Sequence, residues 1–218
     1  MNWVSKLFKK KNKVAIVRLE GTIAPSMTFG AGLNDVSVSK TIEKAFSFRK
    51  LSAVVLIINS PGGSPAQSSL IAARIKRLAK KNKTHVLAFC EDVAASGGYW
   101  LACAADEIFA DENTIIGSIG VISSGFGFHE LIERQGIERR VYTSGEDKSI
   151  LDPFRPQKQA DIKKLKKLQG QIHENFISHV KLSRGEKIKS EDIFSGEFWL
   201  ANEALNNGLI DGVGHLED

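Results

Sequence analysis

Two short segments hold residue types from which a hydrolytic site can be built: Asn59-Ser60-Pro61-Gly62-Gly63 and Ala94-Ala95-Ser96-Gly97-Gly98. Each follows an apolar, strand-like run and opens a helical pattern. Paired glycines let a backbone approach a ligand closely, and a helix start presents unpaired N–H groups at the positive end of its dipole. Such groups can hold a developing oxyanion. Neither segment has the phosphate-cradling Gly-x-x-x-x-Gly-Lys pattern, which argues against a nucleotide site. Both also read as ordinary strand-to-helix turns. Small neighbours flank Ser96 and leave room for a substrate at its hydroxyl, although the default role of a serine at a helix start is an N-cap.

A nucleophilic serine needs a base. His85, His129, His173, His179 and His215 show no triad context, and only His129 is kept as a candidate. A lysine is the alternative. Lys148 lies in an irregular loop, residues 144–149. A free lysine is protonated at neutral pH and becomes a base only when an apolar pocket disfavours its charge. On the residues alone, Lys148 reads as a solvated surface side chain. Cys90 and Cys103 sit in apolar surroundings without metal-ligand spacing, so no metal or cofactor is expected.

The elements that must position these groups alternate. Strands are expected over residues 14–19, 53–58, 86–90, 107–110, 115–122 and 138–142. Helices are expected over 36–48, 65–80, 96–104, 128–135, 157–182 and 201–207. The run 53–58 is wholly apolar, as suits a strand buried on both faces. The long helix 157–182 carries Ile162, Leu165, Leu168, Ile172, Phe176 and Val180 along one stripe, which predicts core packing or a partner surface. Repeated strand–helix units indicate an α/β fold with mostly parallel strands.

Composition bounds the class. The 218 residues are 42% hydrophobic and 25% charged, the mix of a globular chain. The longest apolar run, residues 99–105, is far too short to span a bilayer. Lys and Arg exceed Asp and Glu by 30 to 25, but Lys6, Lys9, Lys10, Lys11 and Lys13 account for the whole excess. The rest of the chain is neutral, which argues against a nucleic-acid-binding face. Residues 1–13 form a basic tail in which Trp3, Val4, Leu7 and Phe8 would share one helical face. Such a segment suits an anionic membrane surface, and reads equally well as a solvated terminus. The expected organisation is this tail followed by a single domain, residues 14–218.

Several longer stretches carry a family pattern: residues 14–22 (VAIVRLEGT), 56–63 (LIINSPGG), 92–100 (DVAASGGYW), 105–110 (ADEIFA), 116–121 (IGSIGV), 142–156 (YTSGEDKSILDPFRP) and 198–212, which ends in LIDG. On these the chain resembles the signal peptide peptidase A family of serine proteases, within the Clp peptidase/crotonase superfamily. The resemblance implies a Clp/crotonase-like α/β fold of strand-strand-helix units with a C-terminal helical extension. It makes Ser96 the nucleophile, Lys148 the general base, Ser118 the residue that orients the lysine, and the Gly63 and Gly97 N–H groups the oxyanion hole. Clp peptidases place a histidine downstream of the serine, and this chain has Val121 there, which favours the lysine.

The resemblance further implies peptide substrates, namely remnant signal peptides or other apolar, unfolded segments. It also implies a ring- or dome-shaped homo-oligomer in which the lysine can come from a neighbouring subunit. The long members' duplicated domain and the membrane anchor of many members are not expected here, and a cytoplasmic location with peripheral membrane contact through residues 1–13 is. The rival readings are a crotonase-like acyl-CoA enzyme, which would use glutamates, and a non-catalytic membrane-associated scaffold.

Overall fold

A computed structural model describes residues 13–25, 32–145 and 148–218. The expected basic tail, apart from Lys13, lies outside the described residues. The chain divides into two compact units. The larger takes in the chain up to Gly120 together with Phe176–Asp218, and the smaller is Val121–Asn175.

The larger unit alternates strand and helix as expected: β1 (Lys13–Glu20), α1 (Asp35–Phe46), β2 (Leu51–Ser60), α2 (Pro65–Asn82), β3 (His85–Ala95), α3 (Gly97–Ala102), β4 (Glu107–Ala110) and β5 (Ile115–Gly117). The smaller unit adds α4 (His129–Arg134) and the first part of α5 (Gln159–Arg184). The end of α5, then β6 (Phe198–Leu200), α6 (Ala201–Asn206) and β7 (Gly212–Val213), return to the larger unit.

Among the described residues the strands form one sheet in the order β1-β2-β3-β4-β7, with β5 paired to β3 and to β6. Every pair is parallel except β5–β6. The helices α1 and α2 cross between β1 and β2 and between β2 and β3, the connection that parallel neighbours need, and one face of these strands packs on them. Ala15, Val17 and Leu19 of β1, Val54, Leu56 and Ile58 of β2, and Val86, Ala88 and Cys90 of β3 are buried with Ile42 and Phe46 of α1 and Ile71 and Ile75 of α2. Each large aliphatic side chain among them contributes about 1.5–3 kcal/mol on burial.

The expectation that residues 53–58 are buried on both faces holds only in part. On the second face Val55 is buried but Ala53 and Ile57 are half-buried, and Val14 and Ile16 of β1, paired with Ala53 and Val55, are 56% and 55% exposed. That face of the sheet is left open at β1.

Helix ends follow capping chemistry. Asn34 and Ser37 form a capping box at the start of α1. Ser64 caps α2, with Pro65 in its first turn. Two strand expectations need correction. The strand expected over 115–122 stops at Gly117, because Gly117 (φ +116°) and Ser118 (φ +53°) turn the chain out of the extended region. Residues 138–142 form no strand: the smaller unit contains no other strand among its described residues, so no ladder partner is available there.

The stripe along α5 is also divided. Phe176, Val180 and Arg184 are buried in the larger unit, whereas Ile162, Leu165 and Ile172 are half-buried and Leu168 is exposed. No described residue from 121 to 175 is buried.

Candidate active site

The two glycine-rich segments meet. The first leaves the C-terminal end of β2, where the segment after β1 holds it: Gly21 N–H donates to the Asn59 carbonyl (2.9 Å), Ile23 N–H to the Gly62 carbonyl (2.8 Å), and Ser64 N–H to the Ile23 carbonyl (2.7 Å). The second leaves β3 into α3. A Cβ on Gly62 would lie 2.5 Å from the Gly97 nitrogen and 2.8 Å from the Ser96 Cβ. A Cβ on Gly97 would lie 2.4 Å from Ser68 Oγ. Gly62 is therefore required by backbone-to-backbone approach of the two turns, and Gly97 by the Ser68 side chain packed against it.

Gly62→Ala tests this approach directly. The overpacked turn is expected to cost about 1–3 kcal/mol of stability. It is also expected to lower any hydrolytic activity by roughly 100-fold, because displacing the Ser96 turn misaligns the reacting atoms. Thermal denaturation and peptide-ester turnover read the two effects. A variant as active as the parent would contradict the packing argument.

Ser96 stands at the junction of β3 and α3 with φ +52° and ψ −121°, a conformation that costs a non-glycine residue about 1–3 kcal/mol. Its backbone is fixed on both sides. The N–H donates to the Gly117 carbonyl (2.8 Å), and the carbonyl accepts from Trp100 N–H (3.0 Å). The default expectation of a capping serine is not met: Ser96 occupies the N-cap position, but its side chain makes no capping hydrogen bond. The hydroxyl is half-buried and free for other use. A serine held in a strained strand-to-helix turn with its hydroxyl unspent is the arrangement of an exposed nucleophile.

Gly97 follows Ser96 directly, and Gly63 follows Gly62, the glycine packed against the Ser96 turn. The N–H of neither Gly63 nor Gly97 is taken by another described residue. Gly63 has φ +139°, and a Cβ there would fall 2.0 Å from the Ile23 carbonyl oxygen. Ser118 follows directly on Gly117, the acceptor of the Ser96 N–H. It is half-buried, with φ +53°, and its own N–H donates to the Glu197 carbonyl (2.6 Å). Ser96, Ser118, Gly63 and Gly97 thus all belong to the larger unit.

Lys148 belongs to the smaller unit. It lies in a turn in which its N–H donates to the Gly145 carbonyl (3.3 Å), and it is exposed. His129 is in the smaller unit too, at the start of α4, 3.9 Å from Glu130.

The larger unit's own histidines are committed elsewhere. His85 pairs with Asp106 and Glu107, His215 with Asp111 and Asp218, and His179 bonds to the Trp100 carbonyl. Burial, reinforced by Lys76, pushes His179 down to about 4. The thiols are no better as nucleophiles: burial pushes Cys103 up to about 11 and raises Cys90 further. No cluster of three or more metal-ligating side chains occurs among the described residues.

Sequence reasoning missed the groups that support the turns. Ser60 is fully buried; its hydroxyl donates to the Gly21 carbonyl (2.7 Å) and accepts from Gly62 N–H (3.2 Å). Ser68 is fully buried against Gly97 and donates to the Ser64 carbonyl (2.9 Å). Behind α3, the Tyr99 hydroxyl donates to the Leu209 carbonyl (2.6 Å), and buried Arg184 makes a two-pronged bond to Asp211 (2.7 and 3.1 Å). The signal was present: a buried polar side chain must find a partner. Which serines are buried is not readable from a strand-end sequence.

Residues 78–218 match peptidase family S49. The chain is 49% identical over 211 residues to a protein named Na(+)/H(+) antiporter NhaA from Brucella melitensis biotype 1, covering 94% of this chain and 28% of that protein. It is 32% identical over 220 residues to the chloroplastic serine protease SPPA of Arabidopsis thaliana, covering 98% of this chain and 32% of that one. The chain therefore spans less than a third of the length of either relative. Among solved structures, a single-residue mutant of ClpP1 from Listeria monocytogenes superposes with a TM-score of 0.56 at 18% identity, covering 92% of this chain and 91% of that one. That likeness establishes a Clp-like α/β fold.

Proposed function

The chain belongs to peptidase family S49, and on that footing we propose that it is a serine endopeptidase in which Ser96 attacks the peptide carbonyl and Lys148 is the general base. The observation that carries this reading is the Ser96 turn: a strained, uncapped serine packed against a second glycine turn, with unused N–H groups at Gly63 and Gly97. In the proposed reaction deprotonated Lys148 takes the Ser96 proton as the hydroxyl adds to the carbonyl. The Gly63 and Gly97 N–H groups then stabilise the tetrahedral oxyanion, each donor worth about 3–4 kcal/mol. Protonated Lys148 next gives its proton to the leaving amine, and water hydrolyses the acyl-enzyme with the same lysine as base. Ser118 orients the lysine. Substrates are remnant signal peptides and other apolar, unfolded segments.

The working form we propose is a homo-oligomer. Lys148 is exposed in the single chain, so the apolar surroundings that would make it a base must be completed by something else. The smaller unit has no buried residue among those described, while Ile122, Phe126, Ile137 and Tyr142 are exposed. Apolar surface of this extent on a 55-residue unit (Val121–Asn175) is the mark of an interaction face. A second copy would cover it and desolvate the lysine together. The location we propose is cytoplasmic, with residues 1–13 the part of the chain suited to peripheral contact with an anionic leaflet.

Mixing two inactive variants tests the shared site. Ser96→Ala and Lys148→Ala should each be inactive alone. If the lysine acts across the subunit boundary, dissociating and reassembling them together should restore up to about a quarter of parental turnover. That is the statistical share of boundaries pairing an intact serine with an intact lysine, if the two variants assemble at random as one symmetric ring. Full activity of Lys148→Ala on its own would remove the dyad.

A further inference from the structure

The open face of the sheet ends in a cleft that the proposed peptidase chemistry does not use. It has a volume of about 530 Å³, and its floor includes Ile57 and Phe89, which share one register row with Arg18. Acidic groups dominate its wall: Glu91, Asp92, Asp111 and Glu217 against Arg18 and His215. Both cations are already neutralised. Arg18 makes a two-pronged bond to Glu91 (2.6 and 2.8 Å), with Glu20 3.5 Å away, and His215 lies between Asp111 (2.8 Å) and Asp218 (3.3 Å). The cleft is thus an apolar floor with surplus negative charge. Val14 and Ile16, four and two residues before Arg18 along β1 and so on the same alternating face, are exposed.

The geometry points to this cleft as a docking site for the chain's own residues 1–12. Those residues supply the complement: Trp3, Val4, Leu7 and Phe8 for the floor, and Lys6, Lys9, Lys10 and Lys11 for the acidic wall. The segment joins β1 at Lys13, and Arg18 lies five residues along the strand, about 17 Å at 3.3–3.4 Å per residue. Twelve residues reach up to about 40 Å when extended, enough to turn back over Val14 and Ile16 and enter the cleft. Tethering makes the contact effective at modest intrinsic affinity, because a short linker holds its ligand at about millimolar local concentration. Docking also covers the apolar side chains that β1 leaves open. It competes with an anionic lipid surface for the same lysines.

Trypsin cleavage after Lys6 and Lys9–Lys11, followed by mass spectrometry of the released N-terminal peptides from the full chain without lipid, reads the docking. The comparison is with Asp92→Asn/Glu217→Gln and, separately, Ile16→Asn, which alter exposed positions and add no tryptic site. Circular dichroism and thermal denaturation check that each variant is folded like the parent. Docking predicts that the parent is cut about tenfold more slowly than either variant, as expected for a tethered segment that is free roughly a tenth of the time. Equal cleavage rates in parent and variants overturn the proposal. So does protection that appears only when phosphatidylglycerol vesicles are added, which would make the segment a lipid contact alone. Neither result bears on Ser96 chemistry, so the two readings fail separately.

Discussion

Ser96→Ala is expected to lower peptide-ester and peptide hydrolysis by roughly 10⁴–10⁶-fold, the scale of loss when a serine nucleophile is removed and only binding and oxyanion donors remain. Thermal stability should be unchanged, since the side chain makes no capping bond and alanine keeps the Cβ. Ser96→Gly separates function from strain more sharply. Glycine adopts φ +52°, ψ −121° without the penalty of about 1–3 kcal/mol, against an entropic cost of about 0.5–1 kcal/mol. This variant should be as inactive as the alanine one and more stable than the parent by about 1 kcal/mol. A fluorophosphonate probe should label the parent at Ser96 and neither variant. Labelling that persists in Ser96→Ala would move the nucleophile elsewhere.

Asp211→Ala is the substitution expected to cost most in stability. The Arg184 side chain is 1% exposed; it bonds to both Asp211 oxygens and donates to the Gly208 carbonyl (2.9 Å). Lys187 and Ile108 N–H also bond to the carboxylate. Removing one partner of a buried pair strands the other charge, at about 3–5 kcal/mol. In a chain of this size that corresponds to a fall in Tm of roughly 10 °C.

The pH dependence has a definite sign. Burial alone would raise Asp211, but its bonds to Arg184 and Lys187 outweigh burial and hold it down to about 2, below the ordinary 3.8. A group depressed on folding contributes stability above its unfolded pKa and loses it as pH falls through the folded one. The stability difference between parent and Asp211→Asn should therefore be full above about pH 4 and shrink towards pH 2. A difference independent of pH across that window would refute the ion-pair account. Lys187→Ala, at the solvent side of the same carboxylate, should cost no more than about 1 kcal/mol.

Much of this arrangement is legible in the sequence because it is local. Apolar runs broken by Pro-Gly-Gly and Ser-Gly-Gly announce strands that turn into helices, and the structure places α2 and α3 there. That the two turns touch is a consequence of β2 and β3 being parallel neighbours, which the strand–helix alternation implies. What fails to show is non-local. Ser96 reads as a cap because a sequence does not report φ. Residues 138–142 read as a strand because alternation reports a preference and not the presence of a ladder partner. The α5 stripe reads as continuous, yet only its last turns find a core. Lys148 is distinguishable from other loop lysines solely through the family pattern around it, since it is exposed and no described residue from 121 to 175 is buried.

The lack of any interior among the described residues between 121 and 175 carries a consequence for how such an enzyme would be governed. If Lys148 is the proposed proton acceptor, it is mounted on a segment whose described residues have no interior, and it would stay idle until neighbours gather. Hydrolysis would then rise more steeply than linearly with protein concentration, and newly made chains would pass through the cell harmless to unfolded polypeptides around them. Dilution would act as the off switch, with no inhibitor or propeptide required.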